Sequence, residues 1–294
     1  MPFDLPLYRA LLKKVFHAWL DDDVPSMGAA LAYYTLFSLA PLLLIAISVA
    51  GLVFGQEAAR GEIESQLRSL MGEPGASAVQ ALLASVGQPS ESTLATLLGV
   101  LLLLVGATTV FGELQSALDR IWRVPATAPV RGWIHLMRAR LLSFGMILVI
   151  GFLLMVSLVL SAALAAMERL WSPFFDGWIQ IASASNAAAG FTLVTAMFAL
   201  IYKVMPRAQV EWRDVWTGAL FTALLFSLGK ALIGLYIGRS GIVSGFGAAG
   251  SLVVVLLWVY YSAQIFLIGA EFTWVYANLF GSRKPVNKAS TPQS

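Results

Sequence analysis

Residues 248–277 read AAGSLVVVLLWVYYSAQIFLIGAEFTWVYA, and these thirty residues include one charged side chain, Glu271. A helix needs about 20 mainly apolar residues to cross the ~30 Å hydrocarbon core of a bilayer. The stretch is therefore long enough to span a membrane with some tilt. It predicts that the chain is an integral membrane protein rather than a soluble one.

The composition of the whole chain agrees with this stretch. Of 294 residues, 59% are hydrophobic and 12% are charged, whereas a soluble domain usually carries about 25% charged residues. The absence of cysteine excludes disulfides, thiolate nucleophiles and cysteine metal sites. The two histidines, His17 and His135, are far apart in sequence. We therefore expect no metal site and no cofactor.

Apolar stretches of similar length lie on the N-terminal side of this one, at 30–54, 93–112, 141–167, 188–205 and 215–237. Together with 248–277 they predict an all-α fold, a polytopic membrane helical bundle of about six transmembrane helices. Residues 1–280 then form one membrane domain. The stretch at 188–205 is the shortest of the six.

The basic residues predict the orientation of the bundle. Fourteen of them fall in the segments 1–29, 113–140, 206–214 and 278–294 or at Lys203, and four fall in the loops between. Cytosolic loops carry the excess of lysine and arginine. Both termini should therefore be cytosolic, which requires an even number of spans and agrees with six.

Residues 5–19 predict an amphipathic helix at the membrane interface. Arg9, Lys13 and His17 recur at intervals of four on one face, and apolar residues occupy the other. Such a helix can lie along an anionic membrane surface. It can also pack on the cytosolic ends of the protein's own helices, and the sequence leaves both options open.

Residues 57–88 predict two short amphipathic helices that cap the extracytoplasmic face. The sequence Gly72-Glu73-Pro74-Gly75 should break the chain between them. The pair would act as a rigid cap or as a moving lid over a pathway, and the pattern does not choose between the two. The polar segment 281–294 is predicted to be a disordered cytosolic tail.

Several short motifs resemble those of a known family. In the second half they are Ile201–Pro206 (IYKVMP), Val210–Asp214 (VEWRD), Gly218-Ala219, Lys230, Gly247–Ser251, Leu257–Tyr260 (LWVY) and Gly269-Ala270-Glu271. In the first half they are Ala30–Tyr34 (ALAYY), Ser38–Pro41 (SLAP) and Leu118–Val124 (LDRIWRV). In this order, from about residue 15 to 278, the set resembles the YihY/virulence factor BrkB family. Ala40 departs from it, since the family often has a bulkier aromatic there.

The resemblance implies an all-helical fold and a bacterial cytoplasmic (inner) membrane location. It implies no settled activity, although members have carried the label ribonuclease BN. Hydrolysis of RNA would need a metal cluster or paired acid and base residues in water, and the sequence offers neither. We therefore expect that the protein is not an enzyme and has no nucleic-acid partner.

Lys230 is the most unusual candidate site residue, because a lysine inside a membrane span is costly. It shares a helix face with Ala223, Ser227 and Gly234, and faces of small residues usually pack inward. Lys230 is therefore predicted to point into the bundle or into a wet cavity. The alternative is a lysine whose stem reaches the outer headgroups.

Three polar residues share a face of the last span: Tyr261, Gln264 and Glu271. Gln264 lies near the midplane and needs a hydrogen-bond partner inside the bundle. Glu271 lies near the cytosolic end, either as a coupling carboxylate or paired with a base such as Lys203 or Arg207.

The remaining candidates lie in the first two spans. Pro41 removes a backbone donor, frees the carbonyl of Phe37 and should break the first span, where Tyr34 and Ser38 would complete a polar notch. Glu113 ends the second span, with the same two interpretations as Glu271.

These features favour a transporter or flippase for an amphipathic, lipid-like or anionic substrate, with membrane lipids as its partners. The alternative is a structural or scaffolding protein of the envelope that binds partners through its basic cytosolic face. A membrane-embedded enzyme ranks third. The sequence specifies neither an oligomeric state nor an energy source.

Overall fold

A computed structural model describes residues 5–86, 109–125, 178–239, 245–246 and 249–284. These residues form helices and turns, with no strand among them. In chain order the helices are α1 (Leu5–Asp21), α2 (Val24–Phe54), α3 (Gln56–Val86), α4 (109–121), α5 (Trp178–Val204), α6 (Trp212–Arg239) and α7 (Gly250–Leu279). The all-helical prediction is confirmed for this part of the chain.

Within the described ranges, three helical stretches are long and apolar enough to cross a membrane: Ala187–Val204, Trp212–Ile237 and Gly250–Leu279. They coincide with the last three predicted spans. The predicted span 30–54 lies within α2. The span 141–167 and most of 93–112 lie outside the described residues, so the total of six spans and the cytosolic termini stay predictions.

The shortest predicted span corresponds to a long helix. Helix α5 begins at Trp178, ten residues before the predicted start at 188, and has 27 residues. The additional first turns contain polar residues such as Gln180 and Ser183, which lowered the hydropathy of that stretch without preventing a helix.

One face of α6 is apolar and exposed along its whole length. The exposed side chains recur mostly at intervals of four: Trp212, Trp216, Leu220, Leu224, Leu228, Leu232, Leu235 and Tyr236. A continuous apolar patch of this kind is rare on soluble proteins and fits contact with lipid. Trp216 and Tyr236 are 20 residues apart, about 30 Å along a helix, which is close to the thickness of a hydrocarbon layer, and aromatic residues are enriched at both membrane interfaces.

Helix α1 packs on the C-terminal half of α7. Leu11, Val15 and Ala18 are buried in a cluster with Phe272 and Val275. The opposite face carries the exposed apolar side chains Leu12, Phe16 and Leu20 beside exposed basic residues. The predicted helix is therefore present, with one face on the protein's own helices and a second apolar face left exposed.

Helix α3 consists of two helical arms joined at Gly72, whose φ of 72° and ψ of 177° are non-helical. Glycine tolerates this backbone conformation because it lacks a Cβ atom. Arg68 pairs across the break with Glu73 at 2.7 Å, and within its own arm with Glu64 at 2.7 Å. Hydrogen bonds from Gln80 and Arg68 hold the pKa of Glu64 below its ordinary value. The predicted break is therefore confirmed at Gly72.

The two arms of α3 are anchored to the bundle through an apolar cluster. Met71 and Val79 of α3 are buried together with Ile233 of α6 and with Val254 and Val255 of α7. Helix α3 thus covers the end of the bundle where α6 finishes and α7 begins. Its predicted location outside the cytosol, and its role as cap or lid, remain predictions.

The prediction of disorder from residue 281 onward is wrong for its first residues. The hydroxyl and backbone N–H of Ser282 donate to Asp214 at 2.6 and 3.1 Å, and the Arg283 guanidinium lies 4.9 Å from the Trp122 ring centroid. Polar composition suggested a solvated tail, whereas these polar groups bind the bundle. Residues 285–294 lie outside the described part of the chain.

Candidate functional site

Small residues let α6 and α7 come into close contact. They also fix how the two helices are aligned along their axes, that is, which residues lie at the same height. A Cβ atom added to Gly218 would collide with Thr273, and one added to Gly269 would collide with the side chain of Thr222. The two glycines therefore let the helix backbones approach, as small residues commonly do between membrane helices. Glu271 lies between Gly269 and Thr273, and so at the height of residues 218–222 of α6.

This height places Glu271 level with the lipid-facing stripe of α6. The stripe begins at Trp212, and the level of Glu271 is about two helical turns, or ~11 Å, further along the helix. The Glu271 side chain is fully buried, in line with the rule that ionisable residues at membrane depth face the bundle interior.

The carboxyl of Glu271 has an unusual environment. Neither of its oxygens has a hydrogen-bond donor among the described residues. The charged groups that act on Glu271 are the carboxyls of Asp22 and Asp21 and the guanidinium of Arg123. A buried carboxylate without a donor is costly, so Glu271 needs a proton or a cation at this position.

Asp22 connects this buried carboxyl to the surface. Its Oδ2 atom accepts a hydrogen bond from Nη2 of Arg123 at 3.2 Å, and the side chains of Asp22 and Arg123 are 11% and 50% exposed. The Arg123 guanidinium also lies 4.7 Å from the ring centroid of Trp274, a geometry in which a cation is attracted to the ring face. Arg123, Asp22 and Glu271 thus form a triad that runs from the surface inward.

Two turns with unusual backbone conformations hold the triad in place. Asp23, between α1 and α2, has a φ of 55°, and Arg123, just after α4, has a φ of 52°. Positive φ is uncommon for residues other than glycine and is retained where the surroundings enforce it. These turns place Asp22 and Arg123 beside α7.

The sequence missed Asp22 and Arg123 as site residues. Arg123 lies within the LDRIWRV motif, and Asp22 lies within a run of three aspartates at the end of α1. Three adjacent acids in an otherwise charge-poor chain are a signal that could have marked this position. Their pairing joins residues 101 positions apart, which sequence spacing alone does not reveal.

The predicted pairing of Glu271 with Lys203 or Arg207 is wrong. Lys203 donates to the carbonyl of Val210 and lies over the Trp212 ring. Arg207 is engaged with Asp119, which accepts a hydrogen bond from its backbone N–H at 2.7 Å and forms a salt bridge with its guanidinium at 3.4 Å. Both bases fasten the loop between α5 and α6, so neither reaches Glu271.

Gln264 finds a partner inside the bundle, as its position required. Its Nε2 atom donates weakly to the carbonyls of Val24 and Pro25 at 3.4 and 3.5 Å. It lies directly against Gly28, where an added Cβ would collide with the amide. Its Oε1 atom has no donor among the described residues.

Tyr202 joins α5 to the α6–α7 pair. Its hydroxyl donates to the backbone carbonyl of Phe266 at 2.7 Å and lies 3.0 Å from the Thr222 hydroxyl. The side chain is fully buried. Three membrane helices are therefore held together at the height of the triad.

The polar notch expected around Pro41 stays a prediction. Helix α2 remains helical from Val24 to Phe54 through Pro41, so the proline does not interrupt the first span. The hydroxyl of Ser38 donates to the carbonyl of Thr35 within the same helix at 3.2 Å. The ring of Tyr34 contacts that of its neighbour Tyr33.

Lys230 is partly buried on α6, and its role stays a prediction. Of the small residues expected on its face, Ala223 is fully buried but Ser227 is exposed. The adjacent Gly229 contacts Tyr261, whose hydroxyl would lie 2.9 Å from an added Cβ. Lys230 is thus at the border between the packed and lipid-facing sides of the helix.

Glu113 lies on α4 and is partly buried. It forms no salt bridge with any described residue. The neighbouring Gln115 donates from Nε2 to the carbonyl of Met205 at 3.1 Å, which attaches α4 to the end of α5. Within the described ranges, no three histidine, aspartate or glutamate side chains come together as a metal site.

Comparison with known proteins identifies the family. The family described as virulence factor BrkB matches residues 15–294, nearly the whole chain and all of the triad. The chain belongs to the virulence factor BrkB family. This confirms the resemblance seen in the sequence motifs.

The relatives of this BrkB-family chain are named as membrane proteins. A UPF0761 membrane protein of Pseudomonas paraeruginosa is 30% identical over 271 residues, covering 91% of this chain and 62% of the relative. One from Verminephrobacter eiseniae is 30% identical over 86% of this chain and 58% of the relative. One from Pseudoalteromonas translucida is 26% identical and is covered to 81%.

Together with the apolar helices, these names confirm the predicted multi-pass bacterial membrane location. The chain spans about three fifths of the length of the Pseudomonas and Verminephrobacter relatives. No solved structure matches the chain.

Proposed function

We propose that this BrkB-family protein is a membrane transporter or flippase that moves an anionic, amphipathic or lipid-like substrate. The observation that carries the proposal is the fully buried carboxyl of Glu271, which has no described donor and lies level with the lipid-facing stripe of α6. Buried ionisable groups at this depth are costly, and they usually mark ion or substrate pathways.

The packing around the carboxyl supports the same proposal. Tyr202, Gly269 and Gly218 make close contacts between α5, α6 and α7, and such a tight interface would pack as well without an acid next to it. Replacing a buried ionic group by an apolar one is often neutral or stabilising. A structural role alone therefore gives little reason for a carboxyl here.

The proposal that the substrate is lipid-like or anionic rests on Lys230, which lies in the other half of the bundle. Lys230 lies about four turns beyond Trp216 along α6 and is partly buried at the edge of the lipid-facing stripe. A cation there would attract an anionic headgroup whose tail stays in lipid. Membrane lipids are accordingly the proposed partners.

The test is transport by the purified full chain in liposomes. Vesicles containing a fluorescent anionic phospholipid, with and without the protein, are exposed to a membrane-impermeant quencher that bleaches the outer leaflet. We expect protein-dependent movement of the probe between leaflets, lost in Glu271→Gln. Folded protein that moves neither this probe nor an entrapped organic anion would contradict the proposal.

A scaffolding role is the second candidate, favoured by one observation. The predicted cytosolic end is held together by contacts of Asp119 with Arg207 and of Asp214 with Ser282, while basic side chains such as Arg120 and Arg213 are exposed. A rigid basic surface suits an acidic partner. Unchanged cellular function of Glu271→Gln together with loss on Arg120→Ala plus Arg213→Ala would favour this candidate.

A further inference from the structure

We propose that Glu271 and Asp22 share one exchangeable proton and that Arg123 is the fixed counter-charge of this pair. The inference rests on the proposed transport function and identifies the ion that would drive it. The geometry is the starting point: Glu271 is fully buried and without any described donor. Asp22 pairs at 3.2 Å with Arg123, whose guanidinium lies over the ring of Trp274, one helical turn from Glu271.

Two ionised carboxylates are both hydrogen-bond acceptors and cannot bond to each other. A single proton between them resolves this, since the protonated carboxyl becomes a donor to the other. With Glu271 protonated, Asp22 accepts from Glu271 on one side and from Arg123 on the other. Every charged group of the triad then has a partner, and the triad as a whole is neutral.

The neutrality of the triad matters because Glu271 is fully buried. Once the proton is lost, Arg123, Asp22 and Glu271 carry a net charge of −1 beside apolar residues of α2 and α6, including Val24 and Val215. An uncompensated charge in such surroundings is strongly disfavoured. Release of the proton therefore favours a rearrangement that hydrates Glu271, which is how a proton can drive transport.

The charged groups around the pair are few. From the end of α1 come Asp22 and Asp21, and from the end of α4 comes Arg123. Outside the pair itself these are one acid, Asp21, and one base, Arg123. With both members ionised, three acids therefore meet one base, an excess of negative charge that favours binding a positive ion.

A proton fits the site better than a metal ion. Calcium takes six to eight oxygen ligands and magnesium six, and the described part of the chain places no third acid or histidine in such a cluster. The side chain of Asp22 is 11% exposed while that of Glu271 is fully buried. A proton leaving Glu271 would pass to Asp22 and from Asp22 to water.

The first test is spectroscopic and independent of transport. Infrared difference spectra of the purified full chain, recorded as pH is raised, should show loss of a protonated-carboxyl C=O band and gain of carboxylate bands. Glu271→Gln should abolish the titrating band and Asp22→Asn should move its midpoint. The matched control is Glu57→Gln, an exposed acid on α3, which should leave the band unchanged. A titrating band that persists in Glu271→Gln, or a band released by Na⁺ at fixed pH, would overturn the inference.

The second test separates this inference from the proposed function. Proteoliposomes with a pH gradient should move the anionic lipid probe faster than vesicles without one, and Glu271→Gln should remove the difference while remaining folded. A titrating band without any transport would overturn the transport proposal and its coupling but leave the proton site standing. Transport without a titrating band would overturn the proton site alone.

Discussion

The hydroxyl of Tyr202 donates a 2.7 Å hydrogen bond to the backbone carbonyl of Phe266, from one membrane helix to another. Bonds of this kind between membrane helices are worth about 1 kcal/mol. Tyr202→Phe should therefore lower the stability of the purified protein by about that amount, measured by unfolding in detergent. Tyr33→Phe, on an exposed ring, is the control and should have no effect. Equal stability of the two variants would show that the bond contributes nothing.

The close approach at Gly269 gives a second prediction. An added methyl group would collide with Thr222 and with the Tyr202 hydroxyl, and overpacking of this kind costs about 1–3 kcal/mol. Gly269→Ala should lower the unfolding temperature, and Gly190→Ala, where an added Cβ meets open space, should not. If Gly269→Ala were as stable as Gly190→Ala, the α6–α7 contact would be looser than described.

The charge balance of the triad can be tested by stability alone. Arg123→Gln leaves Asp22 without its cation, and because the guanidinium is half exposed we expect a loss of about 1 kcal/mol. Adding Asp22→Asn should restore most of that stability, because residue 22 is then neutral and no longer needs a cation. Additive effects of the two substitutions in thermal unfolding would show that the residues do not interact.

The orientation of the chain can be mapped directly, because it has no cysteine. Ser77→Cys lies on the exposed side of α3, and Ser290→Cys lies near the C-terminus. The excess of basic residues in the predicted cytosolic loops implies labelling of Ser77→Cys from outside and of Ser290→Cys only after permeabilisation. Labelling of both from outside would contradict the six-span prediction.

Lys230 provides the test of substrate charge. If it binds an anionic headgroup, Lys230→Met should abolish movement of the anionic lipid probe without affecting folding, and Lys230→Arg should retain part of it. Lys14→Met, on the exposed side of α1, controls for loss of a basic residue. Full activity of Lys230→Met would indicate a lysine that only extends toward the outer headgroups.

The helices were predictable from the sequence because length and hydropathy are local properties. The spans at 215–237 and 248–277 correspond closely to α6 and α7, and the break at Gly72 follows from a Gly-Glu-Pro-Gly sequence. It was also predictable that Gln264 needs a hydrogen-bond partner, because burying an amide without one is costly. Its partners, the carbonyls of Val24 and Pro25, were not.

The residues around Glu271 could not be predicted either, because they come from distant parts of the chain. Lys203 and Arg207 were the nearest bases in the motif-rich region. In the structure Lys203 donates to the carbonyl of Val210, and the backbone N–H of Arg207 donates to Asp119. The residues that reach Glu271 come from the two left-handed turns at Asp23 and Arg123. Local composition does not specify such turns, and tertiary packing decides which charged groups meet.

The contact between Asp214 and Ser282 has a consequence for how the chain matures. Asp214 is fully buried at the start of α6, and its hydrogen-bond donors are supplied 68 residues later in the chain. Until Ser282 has been synthesised, these donors are missing, and burying the carboxylate without them is costly. We therefore expect a chain cut at the end of α7 to assemble less completely than the full chain.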